Sequence, residues 1–271
     1  MLYSDNQITF NYEQAGEGTP MLIIHGNGPD HRMMMACMEP LFTAREKYRR
    51  IYIDLPGMGK SPAADWIQSS DDMLRAVEMM IEALIPGESF ILVGQSYGGY
   101  IARGLMNIYG DSIEGLFLLC PCVIAEPADR ELPPHQVMYR DKTLLEELST
   151  EDREGFTSLT VVQSRDVWNR YSKEIHCALE LADADFMLRI KESGGYPFSF
   201  DLEAASKPYG KPVLILTGRQ DSITGYKDVW KLLDAYPHAS FAVLDRAGHN
   251  LQLEQEELFE GMTREWLSRI K

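Results

Sequence analysis

The sequence predicts an α/β fold built on a mostly parallel, doubly wound sheet. Short apolar runs, each closed by a glycine-rich or acidic turn, alternate along the chain with segments of helical periodicity. Such runs are typical of strands that are buried on both faces, as they are in a parallel sheet. Strands that alternate with helices in this way favour right-handed crossovers between neighbouring parallel strands.

The predicted elements follow this alternation in order. Strands are expected at residues 21–24, 50–53, 90–93, 113–119, 212–216 and 240–244. Helices are expected at residues 73–84, with a cap at Ser69 or Ser70, and at residues 97–109, 226–235 and 253–270. Residues 7–13 are expected to add an antiparallel strand at the edge of the sheet.

The alternation stops between residues 121 and 208, where the sequence is charged, helix-like and poor in strands. The simplest interpretation is a sheet domain formed by residues 1–120 and 209–271, interrupted by a helical cap insertion of residues 121–208. A chain of 271 residues is long enough for one such domain with an inserted cap. We expect the cap to roof the functional site.

The composition argues against several classes of function. The chain has 26 Lys and Arg against 41 Asp and Glu, which gives a net charge of −15. So acidic a surface repels phosphate backbones and anionic lipids, so neither nucleic acid nor a membrane surface is expected as a partner. No apolar run approaches the 18 residues of a membrane span, and the first residues do not resemble a signal peptide. Four cysteines are too few for a disulfide framework, so we expect a cytoplasmic protein. The expected partner is a small molecule, and the oligomeric state stays open.

The sharpest motif is the run Gly94-Gln95-Ser96-Tyr97-Gly98-Gly99, which follows a predicted strand and opens a predicted helix. A strand that turns directly into a helix places the residue between them on a tight, strained bend. Glycines two residues to either side remove the Cβ atoms that would collide there. The Ser96 hydroxyl then stands clear of the sheet, where the helix N-terminus stabilises negative charge. We therefore predict Ser96 as a nucleophile.

A serine hydroxyl needs a base to take its proton, and that base needs an acid to orient it. His249 follows the last predicted strand, so its loop opens at the sheet edge where Ser96 emerges. Asp221 follows the strand predicted to end at Leu216, at the same edge. Asp245 is a competing acid, but its position four residues before His249 favours a role at the strand end. The predicted set is Ser96, Asp221 and His249.

An oxyanion formed at this site needs two N–H donors. One is expected from the backbone of Tyr97, directly after the serine. The other is expected from the backbone of Asn27, in the glycine-rich loop that follows the first central strand. His25 in the same loop is expected to bind backbone groups and take no catalytic part.

These motifs together resemble the α/β-hydrolase family. The resemblance rests on five runs that occur in the family's order and span almost the whole chain: His25-Gly26-Asn27-Gly28, residues 54–61 (DLPGMGKS), residues 94–99 (GQSYGG), Gly218-Arg219-Gln220-Asp221 and Gly248-His249. It implies an eight-stranded, mostly parallel sheet, a helical cap inserted after the sixth strand, no metal and no cofactor. It also implies Ser96 as nucleophile, Asp221 as orienting acid, His249 as base, and oxyanion N–H groups from Asn27 and Tyr97.

The expected function is that of a serine hydrolase that cleaves a small carboxylic ester or related acyl compound. Acyl transfer or perhydrolysis, cleavage of a carbon–carbon bond next to a ketone, and an aminopeptidase similar to proline iminopeptidases are the alternatives. The loop after Gly26 reads Asn-Gly-Pro, not the Gly-Pro-Gly form of those peptidases. A small-molecule receptor without catalysis is the hypothesis from another class, and the complete set of three side chains argues against it.

The cap is expected to shape the pocket. Most of its large apolar side chains should pack within the cap or against the sheet, and one or two should line the pocket; they are Trp168, Tyr171, Phe186, Met187 and Phe198. Three side chains after the oxyanion loop are candidates for the same wall, namely Met34, Met35 and Cys37.

Overall fold

The structure, a computed structural model, describes residues 1–43, 47–202 and 208–270. Within these residues, eight strands form one sheet in the order β1-β2-β4-β3-β5-β6-β9-β10. The strands are β1 (Leu2–Ser4), β2 (Thr9–Ala15), β3 (Thr19–Ile24), β4 (Tyr48–Ile53), β5 (Phe90–Gln95), β6 (Ile113–Leu119), β9 (Val213–Gly218) and β10 (Ala239–Leu244). Two short strands, β7 (Tyr139–Arg140) and β8 (Val162–Gln163), pair with each other apart from this sheet.

All pairs from β4 to β10 in this sheet are parallel, and only β1 and β2 run antiparallel to their neighbours. The predicted mostly parallel, eight-stranded sheet is confirmed. The prediction that residues 7–13 form the edge was wrong. Strand β2 lies between β1 and β4, because Leu2–Ser4 folds back in a hairpin onto Thr9–Asn11. Three residues are too few to show periodicity in the sequence.

Helices lie on both faces of the sheet and in the segment between β6 and β9. They are α1 (His31–Met38), α2 (Ser70–Leu84), α3 (Tyr97–Tyr109), α4 (Lys142–Glu147), α5 (Thr150–Leu159), α6 (Arg165–Tyr171), α7 (Cys177–Leu179), α8 (Ala184–Glu192), α9 (Lys227–Trp230), α10 (Leu251–Glu254) and α11 (Glu256–Arg269). The predicted helix at 253–270 is broken near Gln255, and that at 226–235 continues from α9 as a 3₁₀ turn. No helix in the described ranges is both long and apolar enough to cross a bilayer.

Strand β3 shows why the sheet holds the molecule together. Leu22 and Ile24 face one buried layer, and Met21 and Ile23 face the other. All four side chains are almost fully buried. Burial of a side chain of this size contributes roughly 1.5–3 kcal/mol, so the two layers fix the sheet from both sides. The strand ends that carry the candidate site are therefore rigid.

Between β6 and β9 the chain leaves the sheet and forms α4 to α8. The returning chain is joined to helix α3 by packed aromatic rings. Tyr196 lies 5.1 Å from Tyr97, and Phe198 lies 4.4 Å from Tyr100, measured between ring centroids. The Ser70 hydroxyl bridges the Tyr97 hydroxyl, at 2.9 Å, and the carbonyl of Tyr196, at 2.7 Å. The division of the chain into a 121–208 cap and a 1–120 plus 209–271 core stays a prediction.

Candidate active site

Ser96 occupies the turn between β5 and α3. Its φ of 52° and ψ of −116° place it in a backbone conformation that residues other than glycine rarely adopt. The turn is tight, because a Cβ on Gly94 would lie 2.5 Å from the carbonyl oxygen of Gly98. Two backbone bonds hold the turn: the Ser96 N–H donates to Leu119, and the Cys122 N–H donates to the Ser96 carbonyl, both at 3.0 Å. These bonds to the end of β6 and the residues after it thus hold Ser96 in its strained conformation.

The structure brings the three predicted side chains together. His249 Nε2 lies 2.9 Å from Ser96 Oγ, and His249 Nδ1 lies 2.9 Å from Asp221 Oδ2. A carboxylate can only accept at Nδ1, so the neutral imidazole carries its proton there. Nε2 is then free to accept the proton of the Ser96 hydroxyl. The side chain of Gln95 lies 3.4 Å from the same Nε2.

Asp221 is fully buried behind the imidazole. Burial by itself would raise the pKa of this carboxyl, but the charge and hydrogen bond of His249 and the N–H groups of Thr224 and Ile223 hold it below its ordinary value. The N–H groups donate at 3.0 and 2.9 Å, and the Thr224 hydroxyl donates at 2.8 Å. Asp221 therefore stays ionised. The competing acid, Asp245, accepts from the Gln220 amide at 2.8 Å.

The two predicted oxyanion donors lie at strand ends beside the serine. Tyr97 is the first residue of α3, so its backbone N–H has no partner within the helix. Asn27 follows β3 and lines the same cavity as Ser96. Gly26 lets this loop approach, because a Cβ there would lie 2.9 Å from that of Ser96. This arrangement fits a negative charge formed above Ser96.

His25 is structural, as expected. Its Nε2 accepts the Leu55 N–H at 2.9 Å, so Nδ1 carries the proton and donates to the Gly26 carbonyl at 2.6 Å. Complete burial lowers the pKa of His25. The neutral ring ties two strand-end loops together.

A cavity of about 250 Å³ opens over Ser96 and His249. Its other walls come from residues Asn27, Cys122, Ala125, Glu126, Pro127, Arg130, Leu159, Lys191, Tyr196, Ile223 and Thr224. The expectation that one or two of Trp168, Tyr171, Phe186, Met187 and Phe198 line the pocket was wrong, as was the expectation for Met34, Met35 and Cys37. The buried rings of Phe156 and Tyr171 pack on each other and on Trp168 between β6 and β9, and Phe198 stacks on Tyr100.

Sequence reasoning also missed Glu254, which is buried in α10 behind the His249 loop. Its carboxylate accepts the N–H of Gly248 at 2.5 Å and those of Val161 and Val162 at 2.6 and 3.2 Å. Burial raises the pKa of Glu254 to about 7, against the effect of these donors. One side chain therefore joins the loop that carries His249 to the segment between β6 and β9.

Two groups of metal-ligating side chain types occur in the described residues. The first contains Asp221 and His249, whose facing atoms are already paired with each other. The second surrounds Asp54, whose oxygens accept the N–H groups of His31 and Lys60 and the Asn11 amide at 2.8–3.0 Å. N–H groups that donate to a carboxylate stabilise the carboxylate itself, so this geometry does not fit a cation.

Comparison with known proteins agrees with this geometry. Residues 19–256 match the model of the alpha/beta hydrolase fold family. The chain is 25% identical to a 2-hydroxy-6-oxo-6-(2'-aminophenyl)hexa-2,4-dienoic acid hydrolase of Metapseudomonas resinovorans, over 95% of this chain and 87% of that one. It is also 25% identical to a pimeloyl-[acyl-carrier protein] methyl ester esterase of Shewanella woodyi, over 97% and 99% of the two chains.

Among solved structures, an alpha/beta superfamily hydrolase of Oenococcus oeni PSU-1 superposes with a TM-score of 0.89 and 29% identity, over 100% of this chain and 99% of that one. The relatives are hydrolases, and the prediction of an enzyme of this class is confirmed. Because the family match extends over most of the chain and the sheet has the expected topology, the protein belongs to the α/β-hydrolase fold family.

Proposed function

We propose that the protein is a serine hydrolase that cleaves a small carboxylic ester, or a related acyl compound, through an acyl-enzyme on Ser96. The observation that carries this proposal is the line of contacts from Ser96 Oγ through His249 to the buried Asp221, with both distances at 2.9 Å. This is the order of groups that activates a hydroxyl as a nucleophile.

The first half of the reaction forms the acyl-enzyme. Ser96 Oγ attacks the carbonyl carbon as its proton passes to His249 Nε2, and the carbonyl oxygen of the ester becomes an oxyanion. The N–H groups of Tyr97 and Asn27 stabilise that charge. When the tetrahedral intermediate collapses, the C–O bond to the alcohol breaks, and His249 gives its proton to the leaving oxygen. Asp221 stabilises the charged imidazole in between.

The second half releases the acid. A water molecule gives a proton to His249 Nε2 and attacks the acyl carbon, which forms a second oxyanion in the same position. Collapse breaks the bond to Ser96 Oγ, which recovers its proton from His249. An alcohol, an amine or a peroxide in place of water would give acyl transfer or perhydrolysis, so product analysis with competing acceptors separates these outcomes.

A second candidate is hydrolysis of a carbon–carbon bond next to a ketone. The similarity to the dienoic acid hydrolase of Metapseudomonas resinovorans favours it. In this reaction the bond that breaks is C–C, and the leaving carbon takes the proton. A vinylogous 1,5-diketone, offered beside simple esters, distinguishes the two candidates by which substrate turns over faster.

The test of the proposal is labelling together with turnover. A fluorophosphonate probe should modify the wild-type protein on the peptide that contains Ser96, as mapped by mass spectrometry. Ser96→Ala should lose both labelling and ester turnover, by about 10³–10⁶-fold in kcat. The matched control is Ser268→Ala, on an exposed face of α11, which should label and turn over as the wild type does. Ester turnover by Ser96→Ala at the wild-type rate contradicts the proposal.

The proposal includes a cytoplasmic site of action. The four cysteines have free thiols, and three of them are buried in the core. Chains with this use of cysteine are typical of reducing compartments. Fractionation of the producing cells, with detection of the protein in the soluble or the exported fraction, tests this part.

A further inference from the structure

Arg130 lies in the wall of the cavity over Ser96. Its Nε donates to the carbonyl of Ile124 at 2.8 Å, and one Nη1 N–H donates to the carbonyl of Ile223 at 2.9 Å. Its Nη2 donates to the carbonyl of Ala125 at 2.8 Å and to Cys122 Sγ at 3.3 Å. Because Cys122 and Ile223 both line the cavity, the guanidinium between them lies at its wall.

These four bonds fix the guanidinium but leave its charge unmatched. Every acceptor is a neutral carbonyl or thiol, and one of the five guanidinium N–H groups, on Nη1, has no acceptor among them. Arg130 takes part in none of the ion pairs found in residues 1–43, 47–202 and 208–270. A rigid, unpaired guanidinium is suited to bind an incoming anion.

The position of Arg130 relates it to the reaction. The Cys122 N–H donates to the Ser96 carbonyl at 3.0 Å, and the thiol of Cys122 accepts from Arg130. One residue therefore separates the guanidinium from the turn that carries the nucleophile. Arg130 and Ser96 therefore line the same cavity.

A second cation stands on the wall of the same cavity. Lys191, near the end of α8, is exposed and lines the cavity, and none of the ion pairs in the described ranges involves it. Glu126 is the acidic side chain of the lining apart from the catalytic set, and it too is exposed. The lining thus carries two positive charges against one, on a chain whose net charge is −15. The net negative charge of the chain repels anions at long range, but the local excess of positive charge in the lining favours an anion inside the cavity.

We propose that the substrate carries a second, anionic group, a carboxylate or a phosphate, which Arg130 binds in the cavity and Lys191 attracts from its wall. This inference rests on the proposed function, because it concerns the substrate of the same site. It narrows the substrate from carboxylic esters in general to esters with an acid group remote from the scissile bond.

The test compares two esters of similar length. One is the p-nitrophenyl monoester of glutaric acid, which keeps a free carboxylate, and the other is p-nitrophenyl pentanoate, which is neutral. We expect kcat/KM to be at least about tenfold higher for the anionic ester, and this difference should arise from KM. The ratio of the two kcat/KM values should fall as salt is added. Glutarate and inorganic phosphate, tested as competitive inhibitors, distinguish the two anion types.

Two variants separate the contributions of Arg130 and Lys191 to anion binding. Arg130→Gln and Lys191→Gln should each lower the anionic-to-neutral ratio several-fold, while Lys142→Gln, an exposed cap lysine outside the cavity lining, should keep it. The guanidinium of Arg130 holds four groups in place, so Arg130→Gln could fail to fold. In that case Lys191→Gln and the salt dependence test the anion site. A wild-type ratio of one, with turnover that depends on Ser96, overturns the anion site and leaves the proposed function intact. No turnover of either ester and no labelling of Ser96 overturns both.

Discussion

The carboxylate of Glu254 holds the backbone N–H of Gly248 at 2.5 Å, directly before His249. Its other oxygen accepts from Val161 and Val162, two and three residues beyond Leu159 in the cavity wall. A buried acid therefore fixes the His249 loop and one wall of the cavity in relation to each other. Such a group is sensitive to pH and to substitution.

The stability of the protein should depend on pH through Glu254. Burial raises the pKa of Glu254 to about 7 in the folded state, so the folded protein binds this proton more tightly than the unfolded chain does. The resulting stabilisation is complete below the ordinary value of 4.5 and is lost as the pH rises through about 7. We expect the wild-type Tm to fall between pH 5 and 8 more steeply than that of Glu254→Gln, followed by circular dichroism. The exposed Glu257→Gln is the control, and parallel curves for wild type and Glu254→Gln contradict this role.

Asp221→Asn should lose about 10⁴-fold in kcat with little change in KM. An amide at this position can present its NH₂ group to His249 Nδ1, which then becomes an acceptor. The proton moves to Nε2, and the ring can no longer take the proton of Ser96. The matched control is Asp245→Asn, since Asp245 contacts Gln220. Steady-state ester kinetics check both variants. A larger loss of kcat in Asp245→Asn would mean that Asp245, and not Asp221, orients the imidazole.

Gly98→Ala should destabilise the fold by about 3 kcal/mol or more. A Cβ there would collide with the backbone carbonyl oxygens of Ile24 and His25, which cannot move without the β3 strand. The matched control is Gly261→Ala in α11, where a Cβ meets open space and the helix gains about 0.5–1 kcal/mol. Urea unfolding of the two variants measures the difference. Equal stabilities would mean that the turn tolerates a side chain.

Phe198→Ala should cost about 3 kcal/mol of stability, because the ring is buried and stacks on Tyr100 at 4.4 Å. Tyr139→Ala is the control, since 46% of that residue is exposed and its ring lies outside the stack, and its cost should be about 1 kcal/mol or less. Chemical denaturation gives both values. A similar loss in the two variants would show that the ring stack contributes little.

Much of the fold could be predicted because buried strands and amphipathic helices leave local patterns. The predicted strand at 113–119 and helix at 97–109 coincide with β6 and α3. The meeting of Ser96 with His249 also follows from local signals, since both lie after parallel strands at one edge of the sheet. Strand β1 is too short to show periodicity, and so the edge of the sheet was misassigned.

The walls of the cavity could not be predicted in the same way. Tyr196 and Arg130 lie in irregular segments between β6 and β9, where no period relates sequence position to orientation. Glu254 has the polarity of a solvent-facing helix residue, and only its three N–H donors from distant segments explain its burial. Positions of this kind depend on long-range packing, which the order of residues does not display.

The ring stack between α3 and the returning chain also bears on how such an enzyme diverges. Tyr196 lines the cavity and packs at 5.1 Å on Tyr97, the residue next to Ser96. Any exchange at this wall disturbs the reacting centre, so inheritance should preserve it. Residues 125–127 form another wall, where none of the described rings stacks on α3, and they can vary with less damage. New specificities in this lineage are therefore expected to arise on that side first.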